Sequence, residues 1–301
     1  MAVGDIITAA RYNNLQSRVA TILGTGSGDD GWGQALNSSQ VAASEIVTAT
    51  HMALLYNDIA AGRKHQTNIT PTEIALIATT DTILDSNTVN KKGVAQFENL
   101  TTTLENSKFL CNVNQGSSEA GVQGQYTTAW SGQLDHIVNV TFATADAARH
   151  FFNAGGEIRF TANIAYVGTE SKTVDWMYVL ANMQVVSFNY TATSATGTGT
   201  GSAIGYYGLT TSYQSIFDKQ GSGTYTENHY IIEAKGNTAV NPTVLTFRMN
   251  FNDDDPAGGW PNVDETVKGT LTSLVGQFRP TGVNVEVATP TYANDGSSNL
   301  T

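Results

Sequence analysis

Asp5-Ile6-Ile7-Thr8-Ala9-Ala10-Arg11-Tyr12-Asn13-Asn14-Leu15 is answered forty residues later by Glu45-Ile46-Val47-Thr48-Ala49-Thr50-His51-Met52-Ala53-Leu54-Leu55. Each copy runs from an acid through two aliphatic residues and a threonine into a helical pattern. Thr8 and Thr48 stand where an N-cap belongs, since a side-chain oxygen there can accept from N–H groups that the first helical turn leaves unpaired. Beyond the caps, Tyr12, Leu15, Val19, Ile22 and Leu23 recur close to the 3.6-residue period, and so do Met52, Leu55, Tyr56 and Ile59. The copies share packing positions and no reactive group. The pattern therefore points first to a protein that holds something in place.

Composition narrows this further. A chain of 301 residues can form one large domain or two of ordinary size. Its 40% apolar content supports a core, while the absence of any apolar run of about 18 residues excludes a membrane-spanning helix and membrane insertion. Met1-Ala2-Val3-Gly4-Asp5 carries neither the basic nor the apolar region of a secretory signal. Charged residues make up 14% of the chain, against roughly 25% in a typical soluble domain. Such a hydroxyl- and glycine-rich surface suits stacking against neighbours, because little charge has to be desolvated. The net charge of -11 and the lack of a basic stripe argue against nucleic acid as a partner. The single cysteine, Cys111, rules out an internal disulfide and fits assembly in a reducing compartment. Beside Phe109 and Leu110 it reads as a small buried hydrophobe.

Residues 1–112 read as a helical attachment module. Gly24 ends the first helix, and Gly24-Thr25-Gly26-Ser27-Gly28-Asp29-Asp30-Gly31-Trp32-Gly33 follows as a flexible loop. A short helix is expected near Thr72-Glu73-Ile74, after Pro71. Another is expected from Lys92 to Lys108, with Val94, Phe97, Leu100 and Leu104 in register. Residues 113–125 read as a linker.

From residue 126 the period changes to two. Leu134, His136, Val138, Val140 and Phe142 alternate with polar neighbours. So do Ile158, Phe160, Ala162, Ile164 and Tyr166, then Leu245, Phe247, Met249 and Phe251, then Val283, Val285 and Val287. These are half-buried antiparallel strands. Weaker strands are expected at 184–192, 206–216, 226–235 and 266–278. Short helices capped by Thr144 (Asp146 to Phe152) and Thr173 (Val174 to Asn182) interrupt the series. The fold class is therefore α+β: a small N-terminal helical module, then an antiparallel β-sandwich of jelly-roll type over 126–290. Residues 194–202 read as a low-complexity loop, and 291–301 as a tail that lacks core material.

Chemical motifs are sparse. Gly26-Ser27-Gly28-Asp29-Asp30-Gly31 matches G-x-G-x-x-G but follows a helix, so the strand–turn–helix context of a dinucleotide site is missing. No two of the five histidines lie at i, i+4, and the lone cysteine cannot complete a zinc site. His136, on the apolar face of a strand, reads as a hydrogen-bonded core histidine. Asn252-Asp253-Asp254-Asp255-Pro256 is the densest acidic cluster. It reads as a solvated loop, with calcium ligation by Asp253, Asp254 and Asp255 as the alternative and a glycosidase pair as the remotest. Trp260 nearby fits an inter-subunit anchor better than a sugar platform, and Tyr206-Tyr207 carries the same ambiguity. No catalytic constellation can be assembled, and no cofactor is expected.

The opening phrase through Leu15-Gln16, then Ile22-Leu23-Gly24-Thr25-Gly26-Ser27-Gly28 and Gly31-Trp32-Gly33-Gln34, resembles the start of virion structural proteins of tailed bacteriophages, notably marine and cyanobacterial ones. Arg149-His150-Phe151-Phe152-Asn153-Ala154-Gly155-Gly156-Glu157-Ile158-Arg159-Phe160 and Arg63-Lys64-His65-Gln66-Thr67 resemble phrases of the same proteins. The resemblance spans about residues 4–290. It implies a non-enzymatic component of the virion, assembled in the host bacterial cytoplasm, whose partners are other virion proteins and copies of itself in a closed homo-oligomer such as a trimer or hexamer. A tail, neck or fibre-attachment subunit is the leading expectation. A capsid decoration protein and a lectin-like module that binds host surface glycan are the alternatives. In this picture Tyr12, Leu15, Met52 and Leu55 pack the helical module at its interface, Arg11 and Arg63 make polar docking contacts, and Trp260 anchors a neighbour.

Overall fold

The structure, a computed structural model, describes residues 7–254 and 266–301. Helices α1 (Ala9–Leu23), α2 (Ala49–Thr67) and α3 (Val94–Asn106) come first. Strands β1 (Gly116–Tyr126) and β2 (Gly132–Thr141), helix α4 (Ala145–Asn153), strand β3 (Glu157–Ala165) and helix α5 (Ser171–Met183) follow. The remaining strands are β4 (Val186–Phe188), β5 (Thr193–Ala195), β6 (Thr200–Gly201), β7 (Gln214–Gln220), β8 (His229–Gly236), β9 (Val244–Asp253), β10 (Thr270–Pro280) and β11 (Thr291–Asn294). The fold is α+β, with a helical N-terminal part and a β-rich region.

The chain divides into two compact units. The helical unit is Met1–Ser117 joined by two returning passages, Arg149–Gly155 and Arg279–Ala288. The β-rich unit is Ser118–Ala148, Gly156–Phe278 and Thr289–Thr301. A single cut near residue 112 does not describe this division, because later parts of the chain return to complete the helical unit.

In the β-rich unit two antiparallel sheets run in the orders β1-β10-β3-β4-β5 and β11-β2-β9-β8-β7-β6. Consecutive strands β1, β2 and β3 alternate between the sheets, and β9 and β10 lie beside β2 and β1. The two sheets have a β-sandwich-like architecture, in which β6 to β9 follow one another as a meander. The inner faces meet through Phe247, whose ring is 5.0 Å from that of Phe160 and 5.2 Å from that of Phe188, both edge-on. The lateral edges are stitched by backbone. Thr193 and Ser202 exchange two N–H to carbonyl bonds of 2.9 and 3.1 Å on one side, and Gln125 and Thr301 exchange two of 3.0 and 3.2 Å on the other. Paired edges offer no template to a stray strand.

Several expectations need correction. Residues 113–125 are no linker, because β1 pairs with β10 along this stretch. Its signature is hidden by glycine: a Cβ on Gly121 would lie 2.7 Å from the Tyr292 ring, and one on Gly124 would lie 2.8 Å from that of His136. Large side chains from facing elements fill the room that β1 leaves. Residues 291–301 are no loose tail, since β11 pairs with β2 and Leu300 is fully buried. Part of 194–202 is strand, and 206–216 begins as a 3-10 turn, with β7 starting only at Gln214. No helix forms after Pro71, where the Ala75 N–H goes to the Lys91 carbonyl instead of a helical partner. Val283 to Val287 makes no ladder strand; Val285 and Val287 are buried and Val283 is exposed. Thr173 lies inside α5 and accepts from the Lys268 N–H at 3.1 Å. Thr144 does cap α4, accepting from the Ala147 N–H at 3.0 Å. Cys111 is half-buried.

Candidate functional site

The duplicated segments fold alike. Thr8 Oγ1 accepts from the Arg11 N–H at 3.2 Å, and Thr48 Oγ1 accepts from the His51 N–H at 3.3 Å. His51 Nδ1 returns a bond to the Thr48 N–H at 3.2 Å, which completes a capping box. Ile7 and Val47, just before the caps, are buried together with Tyr12 and Met52, the positions of a hydrophobic staple. Leu15 and Leu55, then Val19 and Ile59, continue the match. It ends where Ile22 is answered by Gly62, whose added Cβ would lie 2.9 Å from Leu104 and 3.2 Å from Leu23. That glycine lets α2 approach α1 and α3 closely.

Buried polar side chains then strap the loops to the helices. The Asp58 carboxylate accepts from the Asn37 N–H at 2.9 Å, its Nδ2 at 2.7 Å and the Ser38 N–H at 2.8 Å. Asn13 and Val41 exchange two bonds of 2.8 Å. Tyr12 donates to the carbonyls of Ser39 and His51, and burial pushes its phenol up to about 12. Gln66 Nε2 donates to the Leu104 and Ser107 carbonyls and so caps the end of α3.

The glycine-rich loop is tied down, contrary to its flexible reading. Gly26, Gly28, Gly31 and Gly33 all have positive φ, which turns their neighbours' carbonyls toward one set of donors. Arg149 donates to the carbonyls of Asp30 and Thr25, and Asn153 Nδ2 to that of Asp30 at 3.0 Å. Lys108 pairs with Asp29 at 3.1 Å and Asp30 at 2.6 Å. Trp32 is buried, donates to the Lys108 carbonyl at 2.9 Å, and sets its ring 4.8 Å from that of His65. His65 Nε2 donates to the Ala154 carbonyl at 2.9 Å, which leaves Nδ1 as a buried acceptor with no partner. Burial pushes the imidazole down to about 4. The segments around Trp32, His65 and Arg149 thus meet in one packed node.

This geometry reassigns most of the expected interface residues. Tyr12, Leu15, Met52 and Leu55 are fully buried in the unit's own core, so they present nothing to a partner. Arg11 is engaged within the chain: Nε and Nη2 reach both Glu98 oxygens at 2.8 Å and Nη1 reaches Asp85. Hydrogen bonds and charge from Glu98, then Asp85, raise its pKa and hold it ionised. Arg63 bonds Gln66 Oε1 at 2.5 Å and borders a shallow hollow with Ile69 and Glu73. Trp260 and Asp255 lie outside the described residues. Asp253 ends β9 and its buried carboxylate meets Lys172 Nζ at 3.3 Å, so a lysine supplies the charge that a cation would have to provide. Asp254 accepts from Asn252 Nδ2 at 2.8 Å. Among the described residues no group of three or more His, Cys, Asp or Glu side chains could hold a metal ion. Tyr206 is 2% exposed and cannot serve as a sugar platform. His136 is the core histidine expected, bonded to Ser273 Oγ at 2.8 Å and Asn294 Oδ1 at 3.0 Å.

The surface that remains comes from three separated segments. Asn68, in the left-handed conformation with φ of 60°, ends α2. Its Oδ1 accepts from Gln115 Nε2 at 2.6 Å, and Gln115 Oε1 accepts from Asn284 Nδ2 at 3.5 Å. Beside these three carboxamides stand Ile69 (66% exposed), Val113 (70% exposed) and the fully exposed Val283. Of these residues Val283 and Asn284 border a cleft of about 660 Å³, lined further by Ala60, Ala61 and Lys64 of α2 and by Asn37 and Thr70. Lys64 has no carboxylate partner among the described residues. Comparison of the chain with family models, curated proteins and solved structures finds no match.

Proposed function

We propose that this chain is a non-enzymatic structural subunit of a tailed-phage virion, a tail, neck or fibre-attachment component that docks through its helical unit. The observation that carries the reading is the exposure of Ile69, Val113 and Val283 on segments tied together by the Asn68–Gln115–Asn284 bonds, with Val283 and Asn284 also bordering the cleft. Apolar side chains held out on a fixed scaffold, rimmed by carboxamides, have the anatomy of a contact surface. Burying an aliphatic side chain contributes about 1.5–3 kcal/mol. Three of them fall near the low end of the roughly 4–15 kcal/mol that association costs. One such patch therefore does not hold a partner alone, and repetition by symmetry with a segment seated in the cleft supplies the rest. The low charged fraction and the resemblance described above point the same way.

Quantitative mass spectrometry of purified particles tests this. The protein is expected at a fixed copy number, with amine cross-links from Lys64 to another virion protein or to a second copy. Absence from particles, or presence with Lys64 unlinked and open to acylation, contradicts the docking reading. A copy number matching that of the major head protein would move the site of attachment to the capsid surface.

A further inference from the structure

The β-rich unit carries a second cleft, and we infer that it binds a neutral saccharide stacked on Tyr178 and held by the carboxylate of Asp175. Ser171, Val174, Asp175 and Tyr178 lie at i, i+3, i+4 and i+7 of α5, one face of the helix. The opposite face, with Trp176, Val179, Leu180 and Met183, is buried. An amphipathic helix normally leaves its solvent side to charges. Here that side walls a cleft of about 530 Å³, closed opposite by the turn through Ser222, Gly223 and Thr224.

The groups in the cleft fit a sugar. Tyr178 is 62% exposed, a large ring left mostly open to solvent. A pyranose lays its C–H face on such a ring and turns its hydroxyls outward. Asp175 is almost fully buried yet borders the cleft. Ser222 orients it with three bonds: Oγ to Oδ1 at 2.5 Å, N–H to Oδ1 at 3.1 Å and N–H to Oδ2 at 3.3 Å. Only the longest of these reaches Oδ2, which keeps acceptor capacity for a sugar hydroxyl. Gly221 permits the approach, since a Cβ there would lie 2.7 Å from Asp175 Oδ2. Thr169, Ser171 and Thr224 add hydroxyls that can donate or accept. The exposed lining is mostly apolar surface, with the hydroxyls and the Asp175 carboxylate set into it, the mixture that a sugar's C–H face and hydroxyl edge call for. Among the described residues no Lys or Arg lines the cleft, which favours a neutral sugar over a uronate or sialate.

This inference stands apart from docking by the helical unit. Its test uses the full chain with maltohexaose, cellohexaose, mannohexaose and chitohexaose, read by saturation-transfer NMR and calorimetry. At least one is expected to bind at micromolar to millimolar concentration. Tyr178→Ala and Asp175→Asn are each expected to weaken it tenfold or more, while Tyr207→Ala, at another exposed tyrosine, leaves it unchanged. Tyr178 is on the surface, so its truncation does not threaten folding, and far-ultraviolet circular dichroism checks this. Incorporation of Tyr178→Ala into particles at the wild-type copy number would separate sugar binding from assembly. The inference is overturned if none of the four sugars binds, if binding survives Tyr178→Ala, or if Tyr178 is covered by another protein in the assembled particle.

Discussion

In the helical unit the interior is organised around polar side chains that hold loops: Asp58 on two backbone N–H groups, Arg149 and Asn153 on carbonyls of the glycine-rich loop, Gln66 on the end of α3. The β-rich unit is organised around aromatic rings, Phe160, Phe188 and Phe247 across the sheets and Trp176 against Trp130 and Phe251. Its backbone satisfies itself through ladders and stitched edges. The difference has a physical origin. Three helices bury one stripe each, and the long connections between them carry N–H and C=O groups that only side chains can satisfy once buried. Sheets have no such deficit. The helical unit thereby gains loops fixed well enough to hold Ile69, Val113 and Val283 out to solvent, and the β-rich unit gains stability that leaves one face of α5 free.

The contrast can be broken in descending order of effect. Phe247→Ala removes the ring at the centre of the aromatic interior and is expected to cost about 4 kcal/mol. Hydrogen exchange should show the loss on β8 and β9. A loss spread equally over α1 and α2 would mean that the two interiors are not separately organised.

Acid should act on the other unit. His65 stays neutral in the fold down to about pH 4, while in the unfolded chain it takes up a proton near 6.5. The unfolded state binds more protons between these values, so stability falls as the pH drops from 6.5 toward 4, by at most about 3 kcal/mol. His65→Gln should flatten that slope in pH-dependent urea unfolding; an unchanged slope assigns it elsewhere.

Asp58→Ala strands the Ser38 and Asn37 N–H groups and should cost about 2 kcal/mol, with faster exchange of both amides. Asp58→Asn keeps one acceptor and should cost less. Last come the caps. Thr8→Ala and Thr48→Ala should each cost about 1 kcal/mol. Unequal costs would show that the copied sequence does not carry copied energetics.

What could be read from the chain follows the same divide. The caps at Thr8 and Thr48, the period of α1 to α3 and the alternation in β2, β3 and β9 are local signals, and all became the elements expected. Strand β1 was missed because Tyr292 and His136 do the filling where Gly121 and Gly124 have no side chain. The valines at 283, 285 and 287 alternate like a strand, but alternation does not say whether a neighbour exists to pair with. The glycine-rich loop looked free because Arg149 and Asn153 stand more than a hundred residues away. The same distance hid the candidate surface. Ile69, Val113 and Val283 lie on three separate segments, and no window of sequence contains two of them. Tyr12, Leu15, Met52 and Leu55 are among the most periodic residues of the helical unit, and periodicity selects the core that they pack.

Incorporation of an Ile69→Asp, Val283→Asp double variant into phage particles tests the docking surface most directly. Both side chains are exposed, so the variant should fold and keep the wild-type unfolding profile. Loss of the variant from purified particles, with its folded form left in the soluble fraction, is the expected result. Incorporation at the wild-type copy number would contradict docking through this surface.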